Sequence, residues 1–374
     1  MSARTQLRAT VPALLPPSQA GPPQITGLPG CRMLVQRCDD EVVARALDDT
    51  FAARPGPGIR FPAPWPRHCG TWEVAPDASL AVFAGVHAVC AVEPSGAVRW
   101  EVRHGCWSGA CRESHESYAE YASRQDHRYP ESGSVGFSAD GRLVWAHVRG
   151  PLPGGELSPD TVDEWLVIDA GSGQVRARAD AEAAAAGSFH LPHPADPHQM
   201  GLSIGEGQDG APLRWGRWDG NALAVDCLDG DLCLLDLSPS GDRLMTVSHD
   251  QNSLAVRDSR GSVVAGLEWE AGTVIPPNPG APADDEDGPE ACWDWAGGFL
   301  DENTLLVSTT ESDDEWGQGR HWLVDTTGPG GFVPVDYPLP VSCEPTALGG
   351  GAWTTLSPGR DVLHVWELDG PEEG

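Results

Sequence analysis

A chain of 374 residues with 55 acidic and 24 basic side chains carries a formal net charge of −31 at pH 7, and because phosphate neutralisation needs clustered cations, no nucleic-acid surface is expected. Every basic residue is Arg, which excludes a lysine Schiff base, a Walker-type phosphate loop and a Ser-x-x-Lys hydrolase together. Glycine (45) and proline (34) make up about a fifth of the chain, well above the roughly 12% of average proteins, which disfavours a helical bundle.

In chain order, residues 1–28 show only a short apolar stretch, Val11–Leu15, broken by Pro12 and followed by Pro16 and Pro17. This is no secretory core, and no run of about 18 apolar residues occurs anywhere. A cytoplasmic protein is therefore expected, with no membrane partner, an irregular tail over 1–28 and reduced thiols; the ten cysteines include no Cys-x-x-Cys pair. "CRMLVQRC" (31–38) and "EVVARALDD" (41–49) read as strands. Next comes a unit that recurs. "VAPDASLAVFAG" (74–85) leads to "AVCAVEPSGAVRWEV", and "FSADGRLVWAHV" (137–148) leads to "EWLVIDAGSGQVRARAD" (164–180). In the second unit Leu143, Trp145 and His147 share one face while Val144, Ala146 and Val148 share the other. Both faces are largely apolar, as in a strand sandwiched between sheets. Two further copies begin at "LSPSGDRLMTVSHD" (237–250) and "FLDENTLLVSTT" (299–310), and the turn residues Asp77, Asp140, Asp196, Ser240 and Asp301 align. Spacings near 40–60 residues, four short strands each, mean propeller blades.

These blades resemble the WD40-like and quinoprotein-like β-propeller superfamily, in the Ser-x-Asp-Gly-Arg-Leu turn and strand, and in the closing strands "AVRD" and "HVWEL" (364–368). The resemblance implies an all-β chain: one closed propeller of four-stranded antiparallel blades, seven of them with six as the alternative, and a short helical insertion. The domain is expected over 29–370, with an insertion at 105–133, an acidic loop at 271–290 and a tail at 371–374. The strands at 31–49 would complete a blade with the C-terminal one, which removes exposed sheet edges.

Two stretches break the blade pattern. In 104–133, Ser117-x-x-Glu120 suits the start of a short helix carrying Tyr118 and Tyr121. His104, Cys106, Cys111 and His115 could surround a tetrahedral metal ion, although their spacing fits no common zinc module and a loop packed by its own side chains is the alternative. In 190–220, His190, His193 and His198 around Asp196 could hold a divalent metal or shuttle protons, against a purely structural role in a Pro-rich loop. Gly201-Leu202-Ser203-Ile204-Gly205 and the overlapping 205–210 match nucleophile-elbow and dinucleotide patterns, but no helix follows either, so a hairpin is expected. Asp284–Asp287 and Asp313–Glu315 lack alternating calcium-loop spacing.

The function expected is non-catalytic binding of a basic protein or peptide by a monomer. The loops 105–133, 190–200 and 271–290 would form the contact mouth, with Tyr118, Tyr121, Trp293 and Trp316 as partner-binding side chains; Trp295 and Trp322 also flank the acidic clusters. The alternative is a propeller hydrolase or lyase using histidines and carboxylates at the channel mouth, with a divalent metal as the one cofactor considered.

Overall fold

The computed structural model describes residues 2–109, 111, 113–154, 157–158, 160–277, 290–311, 319–328, 331–341 and 344–369. The chain opens on a strand, β1 (Ala3–Pro12). Four-stranded antiparallel sheets follow in chain order. The first is β2 (Gln24–Thr26), β3 (Met33–Arg37), β4 (Glu41–Ala46) and β5 (Ile59–Pro62); the second is β6 (Gly70–Val74), β7 (Ala81–Gly85), β8 (Ala88–Val92) and β9 (Val98–Arg103). Then come β10 (Ser134–Phe137), β11 (Leu143–Arg149), β12 (Asp163–Asp169) and β13 (Val175–Asp180), and after them β14 (Gly187–Pro192), β15 (Gln199–Gly205), β16 (Leu213–Trp218) and β17 (Leu223–Asp229). The fifth is β18 (Leu232–Leu237), β19 (Arg243–Ser248), β20 (Ser253–Asp258) and β21 (Val263–Glu270), followed by the one-turn helix α1 (Ala271–Val274).

The remaining strands form two antiparallel groups. One is β22 (Ala291–Phe299), β23 (Thr304–Glu311), β24 (Arg320–Asp325) and β25 (Val333–Asp336); the other is β26 (Thr346–Gly349), β27 (Ala352–Leu356) and β28 (Val362–Leu368). Strand β1 completes the second group, pairing antiparallel with β28 from Thr5↔Leu368 to Pro12↔Val362. Parallel bridges at Gly297↔Thr346 and Ala3↔Val335 join the two groups.

The tail expected over 1–28 is therefore β1 and β2, and the partner of the C-terminal strand is β1 rather than the strands at 31–49, which lie in a sheet of their own. The physical reason is that β1 is an outer strand, half-covered on one side, so its sequence alternates without an apolar run. The segment 371–374 lies outside the described residues.

Alternation along the middle strands sends side chains to two different cores. Trp145, Trp165 and Val167 pack in one cluster with Met200 and Leu202 of the next sheet. Val144, Ala146, Leu166 and Ile168 pack in another with Val82, Ala84, Val89 and Ala91 of the preceding one. Each further pair of successive sheets shares a cluster in the same way, and Val11, Leu363 and Val365 pack with Ile25 and Leu34, so the last sheet also meets the first. Turns between first and second strands seat on one another: Gly141, at φ +71°, lies against Pro76 of the preceding turn, and Gly241, at φ +81°, lies under the His193 ring, where a Cβ would fall 2.2 Å from it.

Because successive strands reverse, turns after the first and third strands of a sheet lie at one end, and connections after the second and fourth at the other. Loops 105–133 and 271–290 follow fourth strands, whereas 193–198 follows a first strand. The three loops expected at one mouth are thus split between opposite ends.

Carboxylates on first strands reach across to the next sheet. Glu73 accepts the Phe137 N–H (2.9 Å) and Asp236 the Phe299 N–H (2.6 Å). Withdrawal from water pushes both up to about 7, from ordinary values of 4.5 and 3.8. The folded chain then keeps protons that the unfolded chain has lost, so this part of the stability is present at low pH and falls as pH rises from about 4 to 7. Glu73→Gln and Asp236→Asn keep the acceptor without the ionisation. Relative to the parent, each variant is expected to gain about 2–3 kcal/mol between pH 5 and pH 8, measured by urea melts; a pH-independent difference would refute the assignment.

Candidate functional site

The insertion leaves β9 at Arg103 and returns at β10. Its feet are backbone bonds: His104 N–H to His87 O, Gly105 N–H to Arg149 O and Trp107 N–H to Val86 O, each 2.9 Å. Between the feet stand two 3-10 turns, Tyr118–Glu120 and Gln125–His127, in place of the expected helix. Ser117 makes no capping bond; Glu120 itself accepts the Glu116 N–H (3.1 Å), too short a segment to propagate a helix.

Within this loop four soft or borderline donors converge. One donor atom from each of Cys106, Cys111, His115 and His127 lies within 4.8 Å of all the others. His127 Nε2 is 3.3 Å from Cys106 Sγ and 3.2 Å from His115 Nε2, and His115 Nε2 is 3.5 Å from Cys111 Sγ. Cys106, His115 and His127 are buried, Cys111 half-buried. Three of the four residues singled out from sequence are here, and His127 replaces His104. His104 is drawn down by the first foot: its Nδ1 faces Gly105 O at 2.7 Å, its ring packs on Trp107, and burial lowers it to about 4. Tyr121, expected to meet a partner, is buried, stacked on His127 and bonded to His87 Nδ1 (2.8 Å). Tyr118 is half-buried against the same core.

Arg149 anchors the insertion. It donates to Asp163 (2.8 Å) and Glu131 (2.9 Å) and lies 4.3 Å over the Trp107 ring. Asp163 also accepts the Ala185 N–H (2.7 Å), and desolvation raises it to about 6.

The second histidine group does not converge. His190 Nε2 accepts from the Trp165 indole (2.9 Å), an obligate donor, so its Nδ1 carries the proton and faces Ser134 Oγ (2.9 Å). His193 Nδ1 accepts the N–H groups of Ala195 (3.1 Å) and Asp196 (2.9 Å). His198 is exposed with its ring edge-on to Trp218, and Asp196 accepts the His198 N–H (2.9 Å) as a turn cap. Each is engaged in its own packing contact because a strand, a turn and a turn exit point them apart. Ser203 of the elbow-like pattern lies within β15 and accepts the Leu234 N–H (2.9 Å), in a hairpin with β16 as expected.

Sequence reasoning missed one juxtaposition that imitates a nucleophile, base and orienter. Ser188 Oγ is 2.9 Å from His147 Nδ1, and His147 Nε2 is 3.7 Å from Asp163. Its electrostatics oppose catalysis: burial pushes His147 down to about 3, so it is a poor proton acceptor, and Asp163 is committed to Arg149 and Ala185. The group continues through Ser134 to His190 and Trp165, a buried polar network tying two sheets.

A different surface lies near the start of β22. Trp293 is fully buried, donating to Trp269 O (3.0 Å), whereas the register shift between Trp293 and Gly297 turns Trp295 outward, 49% exposed. Its ring stacks on His249 (6.5 Å, 9°) beside a depression of about 390 Å³ lined by Leu235, Asp294, Gly297, Glu344 and Thr346. Trp316 and the acidic runs 284–287 and 313–315 lie outside the described residues.

No family model matches the chain, and no curated protein matches it in sequence. Solved structures match in shape. A prolyl endopeptidase aligns over 95% of this chain and 51% of its own, with TM-score 0.53 at 10% identity. Raptor of Chaetomium thermophilum aligns over 99% and 29%, TM-score 0.53 at 9% identity, and the BBS1N chain solved in complex with ARL6DN over 100% and 99%, TM-score 0.51 at 9% identity. The chain spans about half the length of the endopeptidase. At these identities the likeness is one of fold, and the fold is a β-propeller. Such a fold serves both peptidases and binding proteins, so it does not choose between them.

Arg149→Ala is expected to cost about 3–5 kcal/mol in urea denaturation, since it strands the buried Asp163. In an Asp163→Asn background the cost should fall by at least half; equal costs in both backgrounds would show that the ion pair is not the anchor.

Proposed function

We propose that the chain is a closed seven-bladed propeller that binds a protein or peptide bearing Arg or Lys side chains and performs no chemistry of its own. The closure is supported by the seven groups of four strands, by β1 completing the group of β28, and by the cluster shared between last and first sheets. The binding reading rests on one observation: the exposed Trp295 indole stands beside Asp294 and Glu344 in a depression bordered by Leu235, Gly297 and Thr346 from three successive first strands. An indole face flanked by carboxylates suits a guanidinium or ammonium group, and a net charge of −31 would draw such a partner in. The hydrolytic alternative has no comparable support, because the histidines and carboxylate offered for it are spent on separate packing contacts.

Titration of Arg-rich peptides, followed by tryptophan fluorescence, is expected to give binding that Trp295→Ala weakens at least about tenfold and that weakens between ~50 and ~500 mM salt. Peptides lacking Arg and Lys should not bind. Affinity untouched by Trp295→Ala would overturn the assignment.

Removal of residues 2–12 tests closure separately. The shortened chain is expected to melt lower and to associate with rising concentration, because β28 becomes a bare edge. A truncated protein as stable and monodisperse as the parent would refute closure by β1.

A further inference from the structure

We propose that Cys106, Cys111, His115 and His127 bind one zinc ion in a closed structural site that holds the 104–133 insertion in shape. A tetrahedral zinc ion lies about 2.3 Å from thiolate sulfur and about 2.0–2.1 Å from imidazole nitrogen, which places two nitrogens about 3.3 Å apart and a nitrogen and a sulfur about 3.6 Å apart. The observed separations are 3.2 Å between the two Nε2 atoms, and 3.3 and 3.5 Å between nitrogen and sulfur. Three of the six edges of that tetrahedron are thus close to their zinc-bound lengths, and the other three pairs of donors lie within 4.8 Å.

Proton bookkeeping points to a cation as well. Asp126 Oδ1 accepts from His127 Nδ1 at 2.9 Å, so in the neutral ring Nε2 presents its lone pair inward. Glu120 stands 3.6 Å behind His115 Nδ1 and favours the same tautomer. Both Nε2 atoms thereby face the centre of the cluster, 3.2 Å apart, in the orientation a bound metal ion would use. A carboxylate behind each ligating imidazole is the outer shell that orients histidines on zinc. Asp126 is itself held by Arg124, which also reaches Glu113. Two thiolates neutralise the ion, so a buried site carries no net charge, and a mixed set of two sulfurs and two nitrogens selects zinc over harder divalent ions. Four protein ligands leave no open position for a substrate, which makes the role structural. Among the described residues of the loop the regular structure amounts to two 3-10 turns, so such a staple would add order.

The full chain, produced with zinc in the medium and purified without chelator or histidine tag, is expected to carry about one zinc ion by elemental analysis. After dialysis, Cys106→Ser and His127→Ala should each lose at least about tenfold of that metal, whereas His104→Ala should keep it. Should the variants fail to fold, cobalt loading of the parent decides. Intense visible bands of tetrahedral cobalt with thiolate charge transfer are expected, together with faster proteolysis within 104–133 once a chelator is added. Parent protein that takes up neither ion would overturn the proposal. So would a Cys106–Cys111 disulfide in the chelator-free protein, or full metal retention in the Cys106→Ser/His127→Ala double variant.

Discussion

A four-stranded sheet with apolar side chains on both faces cannot stand alone in water, and nearly everything in this structure follows from that constraint. Strands β7, β8 and β12 are buried along almost their whole length, so each sheet must be covered twice, once by its predecessor and once by its successor. A linear stack would leave two faces bare. Packing of Val11, Leu363 and Val365 against Ile25 and Leu34 covers the first face with the last sheet, and the strand that completes this last sheet is the first in the chain. In the proposed closed ring, sealing of the circle and edge protection would come from this one element.

Where sheets meet loops, arginine replaces hydrophobic packing. Arg32 reaches Leu348 O and Gly349 O, Arg37 reaches Trp65 O, and Arg214 reaches Ala181 O and Glu182 O, all across connections between elements. A planar fork with several donors can satisfy two carbonyls at once while its flat face lies on a ring, as Arg37 does over Phe83 and Arg149 over Trp107. A lysine ammonium, compact and strongly hydrated, has no equivalent geometry. The buried histidines play the complementary part. His104, His147 and His321 are held neutral by desolvation, with values near 4, 3 and 4, so they serve as small hydrogen-bonding aromatics rather than as charges.

The blade grammar was readable because its turns are chemical. Asp140 accepts from Ser138 Oγ and from Arg142 N–H, and Asp77, Asp196 and Asp301 cap their turns through the N–H groups of Ser79, His198 and Asn303. Two units lacked that signature: residues 27–32 and 350–351 make the same turn through Pro and Gly, and so their blades did not align. Strand β1 was missed because its partner lies some 350 residues away and an outer strand needs only one covered side. In the Cys and His cluster, residue type singled out Cys106, Cys111 and His115, but sequence could not show that His104 belongs to the sheet edge while two tight turns carry His127 back. For Trp293 and Trp295, alternation alone puts both on one face; only the irregular register before Gly297 separates the buried ring from the exposed one.

The two ends of the sheets are not equivalent, and the difference bears on where a partner can dock. At one end, turns such as 138–142, 193–198 and 238–242 are short, capped by their own side chains and seated on one another through Gly141 and Gly241. Changing any of them disturbs the packing between sheets. Connections at the other end are longer: they include the insertion between β9 and β10 and the segment between β11 and β12. They also contain His249 and Glu344 beside Trp295. Loops that are free to vary without breaching the sheet contacts are where recognition can be built, and both the Cys and His cluster and the exposed indole stand at that end. A metal-stapled insertion would stiffen its rim, so that a partner would meet a surface already ordered and less conformational freedom would be lost on binding.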